Sequence, residues 1–93
     1  MKAIFIQENQ LVVWPWTHDY DATWEAETMD GRGRRVQMSA TEHGNWWVGT
    51  GPRRDLELLA RGKKANLADA MAAALGATVA MAREPAAVAK VTR

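Results

Sequence analysis

The sequence predicts an α+β domain, an antiparallel β-meander of four to six strands with one long C-terminal α-helix packed on one face. Three observations carry that prediction. Short β-branched and aromatic runs with period-two alternation recur through residues 2–61. Turn-forming clusters separate them at 8–10, 29–33, 42–44 and 51–55. From Asn66 the apolar period changes to that of a helix and holds to Arg83.

Lys2–Gln7 and Leu11–Trp16 read as a hairpin around Glu8-Asn9-Gln10. Pro15 has no N–H to give a ladder, so the second strand lies at a sheet edge or ends there. In a regular strand Trp14 and Trp16 share one side, which predicts that they are buried or exposed together. After the polar stretch THDYDA, Ala22, Trp24 and Ala26 alternate with Thr23, Glu25 and Glu27, as in a strand with one buried face. Met29–Gly33 is a turn, and Arg34–Thr41 follows with Val36, Met38 and Ala40 on one side.

The segment HGNWW sets the register of the next hairpin. Three-residue hairpin loops commonly end in a left-handed glycine. With Glu42-His43-Gly44 as that loop, Thr41 pairs with Asn45, Ala40 with Trp46 and Met38 with Val48. Trp46 then joins the Val36/Met38/Ala40 face as core, and Trp47 stands opposite Ser39 on the other face. A two-residue Gly44-Asn45 loop would exchange the tryptophans; the first register is preferred because it groups the apolar side chains. Gly51–Asp55 is a further turn. Leu56–Arg61 is expected to be a fifth strand with Leu56, Leu58 and Ala60 inward.

Asn66 can cap a helix, with Asp69 three residues later in a box-like position. Leu67, Ala70, Met71, Ala74, Leu75, Thr78 and Met81 form its apolar stripe. Opposite lie Asp69, Ala72, Ala73, Gly76, Ala80 and Arg83, mostly small where solvent-facing helices usually carry Glu and Lys. Alanine's helix propensity accounts for this as composition. The alternative is close packing against another helix, so Ala72, Ala73, Gly76 and Ala80 are the candidate surface for a homodimer. Residues 1–84 are expected to form a single domain and 85–93 a loose tail beyond Pro85.

The 93 residues are 47% hydrophobic and 25% charged, an ordinary globular composition. Without cysteine, neither a disulfide nor a thiolate site is available. No apolar run approaches membrane-spanning length, and MKAIFIQENQ lacks the core and cleavage site of a signal peptide. A cytoplasmic protein with no membrane partner is the expectation.

Reactive groups are few. His18, Asp19 and Asp21 precede one strand, Glu42 and His43 sit in a turn, and a meander brings both loops to one end of the sheet. Neither spacing is that of H-E-x-x-H or another metal motif, and polar loops naturally collect these residue types. DGRGRR (30–35) is not followed by a helix, so it is neither a Walker A loop nor a dinucleotide fingerprint. The sequence therefore predicts no catalytic residue, no metal site and no cofactor.

What remains is surface. The net charge of +1 hides an uneven distribution, a balance of −5 over residues 2–31 and +5 over residues 32–64. Either the halves pair across the sheet or the basic half marks an anion site. Turns 29–33 and 51–55 belong at one sheet end, which is expected to bring Arg32, Arg34 and Arg35 toward Arg53 and Arg54. Those five guanidinium groups would hold phosphates or a partner's carboxylates. One helix covers one face, so the other is expected to present Trp47 and Leu59, with members of the first hairpin as further candidates, as an interaction surface with aromatic anchors.

LARGKKANLADAMAAAL resembles the strand-glycine-helix module of small bacterial and phage proteins, of which the βββα core of HicB-type antitoxins is one version. The likeness spans about residues 45–82 and rests on Gly62, Asn66, Ala70 and Ala74. Asn66 stands where that module more often has Thr or Ser, and Asp69 where it has Glu. As a class, the chain also looks like small phage or mobile-element inhibitors of the anti-CRISPR type, with which it shares size and lack of chemistry but no motif. The strand-glycine-helix likeness implies architecture, while the free surfaces and the inhibitor-class likeness lead to the expectation of a non-catalytic protein that binds and inhibits or regulates a protein partner through Trp47, the arginine end, or both. The alternative is a nucleic-acid-binding or antitoxin-like regulatory module. The isoelectric point of about 8.2 is below that of dedicated nucleic-acid domains.

Overall fold

The computed structural model describes residues 4–6, 11–19, 21–51 and 55–83. Among the described residues seven strands precede one helix: β1 (Ile4–Ile6), β2 (Leu11–Val13), β3 (Thr17–His18), β4 (Thr23–Met29), β5 (Arg35–Thr41), β6 (Asn45–Thr50), β7 (Glu57–Lys63) and α1 (Leu67–Arg83). One antiparallel sheet runs β1-β2-β4-β5-β6-β7, with the short β3 also paired to β4. The architecture is α+β, with α1 packed across β5, β6 and β7. Arg53, Arg54 and the tail expected at 85–93 lie outside the described residues.

The register preferred for the central hairpin is the one observed. Ala40 faces Trp46, Ser39 faces Trp47 and Met38 faces Val48. Gly44 closes the turn at φ 94°, and its N–H donates to the Thr41 carbonyl, 2.9 Å. The inner face gathers Ala26, Val36, Met38 and Val48, all buried, with Leu11 and Val13 from β2 and Ala74 from α1. Ala70 and Ala74 are fully buried, so the helix meets the sheet through small side chains. Buried hydroxyls find acceptors: Thr28 donates to the Val36 carbonyl at 3.1 Å, and Thr78 to that of Ala74 at 2.9 Å. Asn66 caps α1, its Oδ1 accepting from the Asp69 N–H at 2.9 Å.

Two places break the two-residue period, and both correct the sequence reading. Val48 pairs with Ala60 but Gly49 pairs with Leu58, so Leu59 is an extra residue on β7. The bulge turns Leu59 onto the core cluster and Leu58 outward, 50% exposed. Leu56 also departs from the inward position expected of it, closing over Gly49, where an added Cβ would fall 2.7 Å from its Cδ2. The second break lies at Pro15. The Trp14 N–H donates to the Glu27 carbonyl, and Thr17 pairs with Glu25, which leaves Pro15 and Trp16 together opposite Ala26. Trp16 consequently packs against the core cluster while Trp14 stays on the outer face beside Arg35. The two tryptophans expected to share a side are separated.

Trp24 and Trp46 both sit on inward ladder positions, flanking the fully buried Ala40. Each is nevertheless only half-buried. The sheet is wider than the helix. Trp24 therefore lies toward the flank, its ring 4.9 Å from that of His18. Trp46 lies over Gly62, its cross-strand partner on β7, and an added Cβ there would fall 2.8 Å from its Nε1. A large ring covering a strand glycine restores packing that the glycine cannot supply.

Two expected outcomes follow. Leu59→Ala should cost roughly 2 kcal/mol and Leu58→Ala well under ~1 kcal/mol in urea denaturation, because only Leu59 leaves a cavity. The reverse order would mean that β7 has no bulge. Gly33 and Gly44 both have positive φ, but an added Cβ meets nothing within 4 Å at Gly33 and lies 2.0 Å from the Lys64 carbonyl oxygen at Gly44. Gly33→Ala should lose only the left-handed penalty of about 1–2 kcal/mol, and Gly44→Ala distinctly more. Equal losses in the same assay would contradict the close approach.

Candidate protein-binding face

The outer face of the sheet is generated by the same ladder. One row across it reads Thr17, Glu25, Ser39, Trp47 and Arg61, from β3 to β7. The next reads Glu27, Gln37, Gly49 and Leu58. Trp47 is half-buried, and Ser39 beside it is only 2% exposed although it lies on the face away from the helix. Its cross-strand neighbours are Glu25 and Trp47.

Of the five arginines expected to converge, Arg32, Arg34 and Arg35 lie among the described residues, at the β4–β5 turn and the start of β5. Arg32 extends to Asp30, with Nη2 3.4 Å from Oδ2. Asp30 is itself buried and organises the β4–β5 turn, its Oδ1 accepting from the Arg32 and Arg34 N–H groups at 2.9 and 3.0 Å. Arg35 crosses to β4, where Nη1 lies 3.2 Å from Glu27 Oε1, and its guanidinium carbon is 5.9 Å from the Trp14 ring centroid. Both partners of the Arg35–Glu27 pair are more than half exposed, so the pair contributes at most about 1 kcal/mol to folding. Its electrostatic effect is larger than its energetic one, since it cancels a positive charge that would otherwise face a ligand. The acidic and basic halves of the sequence thus pair across the sheet at this point. The Arg34 side chain is exposed and has no carboxylate partner among the described residues. Arg53 and Arg54 lie outside them.

Sequence reasoning passed over the cations nearest Trp47. Arg61 stands directly opposite Trp47, and Lys63 opposite Asn45, both on the outer face of β7 and both exposed. Neither has a carboxylate within ion-pair distance among the described residues. The signal was present in the alternation of Arg61 and Lys63 with the inward Ala60, which the bulge at Leu59 leaves unchanged.

Two of the hollows lined by described residues on this face are large enough to take a side chain of a partner. The larger, 680 Å³, is lined by Trp14, Pro15, Thr17, Glu25, Glu27 and Gln37 among others. Its acidic wall is already engaged: Glu27 pairs with Arg35, and Glu25 has an interaction of its own. The smaller, 510 Å³, lies at the β7 edge, lined by Trp47, Leu58, Arg61 and Lys63 together with Asn45, Trp46 and Gly62. It joins apolar surface to uncompensated positive charge, and it is the stronger candidate for an anchor.

Other predicted surfaces are located as follows. Ala72, Gly76 and Ala80 are exposed along one line of α1, whereas Ala73 is half-buried. At the sheet end near Gly44, His18 donates from Nε2 to the Asp21 carbonyl, and the Glu42 N–H donates to that of Ala22, 2.9 Å. The two polar loops do meet. Among the described residues, no group of three or more His, Asp or Glu side chains is placed to hold a metal ion, and no helix is long and apolar enough to cross a membrane.

The adjacent tryptophans should separate cleanly by experiment. Trp46→Ala is expected to lose about 3 kcal/mol of unfolding free energy, the low end for an aromatic core site. Trp47→Ala should lose about 1 kcal/mol or less, as an outer-face substitution does. Guanidinium denaturation followed by circular dichroism measures both, and equal losses would contradict the assignment of Trp46 inward and Trp47 outward.

Comparison of the chain with protein-family models, with curated proteins and with solved structures finds no match in any of the three.

Proposed function

We propose that the protein is a non-catalytic interaction module that binds another protein through the outer face of its sheet. Its action on that partner would be inhibitory or regulatory, as in the small phage and mobile-element inhibitors that it resembles in size. The observation that carries the reading is the surface around Trp47. A half-buried tryptophan, a half-exposed leucine and exposed cations meet on a sheet face that α1 leaves uncovered. Aromatic and arginine side chains are the types that dominate binding energy at protein interfaces.

Nucleic acid is the weaker reading. A strand of phosphates needs a continuous cationic track. Here Arg32 and Arg35 are paired with carboxylates, and Glu25 and Glu27 occupy the β4 side of the same face. Negative charge on that path repels a polyanion crossing the sheet.

The test is affinity capture from the native host with nuclease-treated lysate, using three baits of equal foldedness by circular dichroism. A protein retained by the unmodified chain and by Arg32→Ala, but lost from Trp47→Ala, is the expected result. Retention that survives Trp47→Ala would reject the outer face as the site. Capture abolished by nuclease would replace the protein partner with nucleic acid.

A further inference from the structure

The reading above says where a protein partner docks; the free charges and the sheet edge say what chemistry it brings. In the sheet order β7 comes last, so among the described residues it has β6 on one side and no strand on the other. A seven-residue edge of this kind presents unpaired backbone N–H and C=O groups, which an extended segment of another chain can satisfy. Arg61 and Lys63 alternate on its outer face, so their Cα atoms are separated by roughly 6.6–6.8 Å. Acidic residues at positions i and i+2 of an extended segment have the same repeat. Leu58, farther along the outer face past the bulge, is 50% exposed and borders the 510 Å³ hollow with Trp47.

We infer that β7 accepts an extended acidic segment of the partner protein as an added strand, with two alternating carboxylates beside Lys63 and Arg61 and an apolar side chain in the hollow between Trp47 and Leu58. The inference rests on the outer face being the binding surface. Charge complementarity selects the occupant. Arg32 and Arg35 already have carboxylates, and Arg34 and Lys64 lie in connecting segments off the strands, whereas Arg61 and Lys63 stand on the edge strand with no carboxylate among the described residues. Lysine and a bulge on an edge strand are also the usual devices against indiscriminate pairing. They disfavour a neutral or basic strand and leave an acidic one as the matching ligand. The pattern is acid-x-acid-x-apolar in the antiparallel sense, since the side chains that reach the outer face lie two residues apart.

The probe is a synthetic capped peptide, TEVEVLT, titrated into isotopically labelled full-length protein and followed by amide shifts and calorimetry. Saturable binding is expected, with the largest shifts at residues 58–63 and slower hydrogen exchange along β7. Replacing both peptide glutamates by glutamine should weaken binding about tenfold, and the double change Arg61→Glu, Lys63→Glu should do the same, with the fold unchanged by circular dichroism. A charge-restoring peptide with lysine at both acidic positions should recover affinity for that double variant, which a merely misfolded protein would not do. Equal binding of the glutamate and glutamine peptides, or shifts centred on residues 32–35, would overturn the inference. So would tighter binding of oligo-dT than of the peptide at equal salt, or a dimer in light scattering that Leu58→Glu disperses. A native partner lost on Trp47→Ala but unaffected by the Arg61/Lys63 reversal would overturn the acidic-strand inference alone and leave the outer-face reading standing.

Discussion

The arrangement depends on one close approach, where the β5–β6 turn meets the connector between β7 and α1. Lys64 donates its N–H to the Gly44 carbonyl at 2.8 Å, and the space at Gly44 that a side chain would occupy is filled by the Lys64 carbonyl. Asn66, which caps the helix, follows two residues later and is also within van der Waals reach of that position. The seam therefore holds the helix N-terminus against one particular turn. It sends α1 back over β5, β6 and β7 rather than over the first hairpin. Which face is covered, and so which side chains stay available, follows from a glycine that has both a left-handed φ and no Cβ.

Given that seam, the charge asymmetry of the sequence resolves into two zones with different roles. Near the β4–β5 turn Arg32 pairs with Asp30 within the turn and Arg35 with Glu27 diagonally across the ladder, and Asp30 is used twice over by backbone N–H groups as well. Such charges organise a turn and solvate an end of the sheet. At the β7 edge the nearest cross-strand neighbours of Arg61 and Lys63 are Trp47 and Asn45, which carry no charge to cancel theirs. A positive potential survives there because β6 brings neutral side chains to the outer face, not because more cations gather. Local charge balance thus separates candidate anchors from solvated residues better than a count of arginines does.

Most of the fold was legible because period and turn chemistry act locally. The left-handed glycine at 44 set the register of the central hairpin, and Asn66 marked the helix start; both depend on backbone and side-chain groups within a few residues. The parity of β7 and of the segment 14–16 was not legible. A bulge inserts one residue and reverses every later alternation, yet Leu58-Leu59-Ala60 has no composition that says which leucine is extra. The choice is made by the partner strand: Gly49 leaves room on the outer face that Leu56 fills, and Leu59 reaches the core instead. Pro15 was a better clue, since it forbids a ladder N–H, but it signals an interruption without giving the direction of the shift. The same reversal changes one member of the site. Read as a regular strand, β7 offers Leu59 rather than Leu58 beside Trp47; the bulge sends Leu59 to the core and exposes Leu58 in its place.

The adjacent tryptophans tie the fold and its free surface to one variable. Trp46 covers Gly62 beneath the helix side of the sheet, and Trp47, one residue on, stands over Ser39 and across from Arg61. A one-residue slip of β6 would exchange their faces. It would drive Trp46 away from the strand glycine that makes room for it and press Trp47 toward Ala40 and the helix. The inward fit of Trp46 therefore enforces the outward placement of Trp47. No separate stabilising contact is needed to keep the second ring exposed, so its contacts remain available to a partner at little cost to folding.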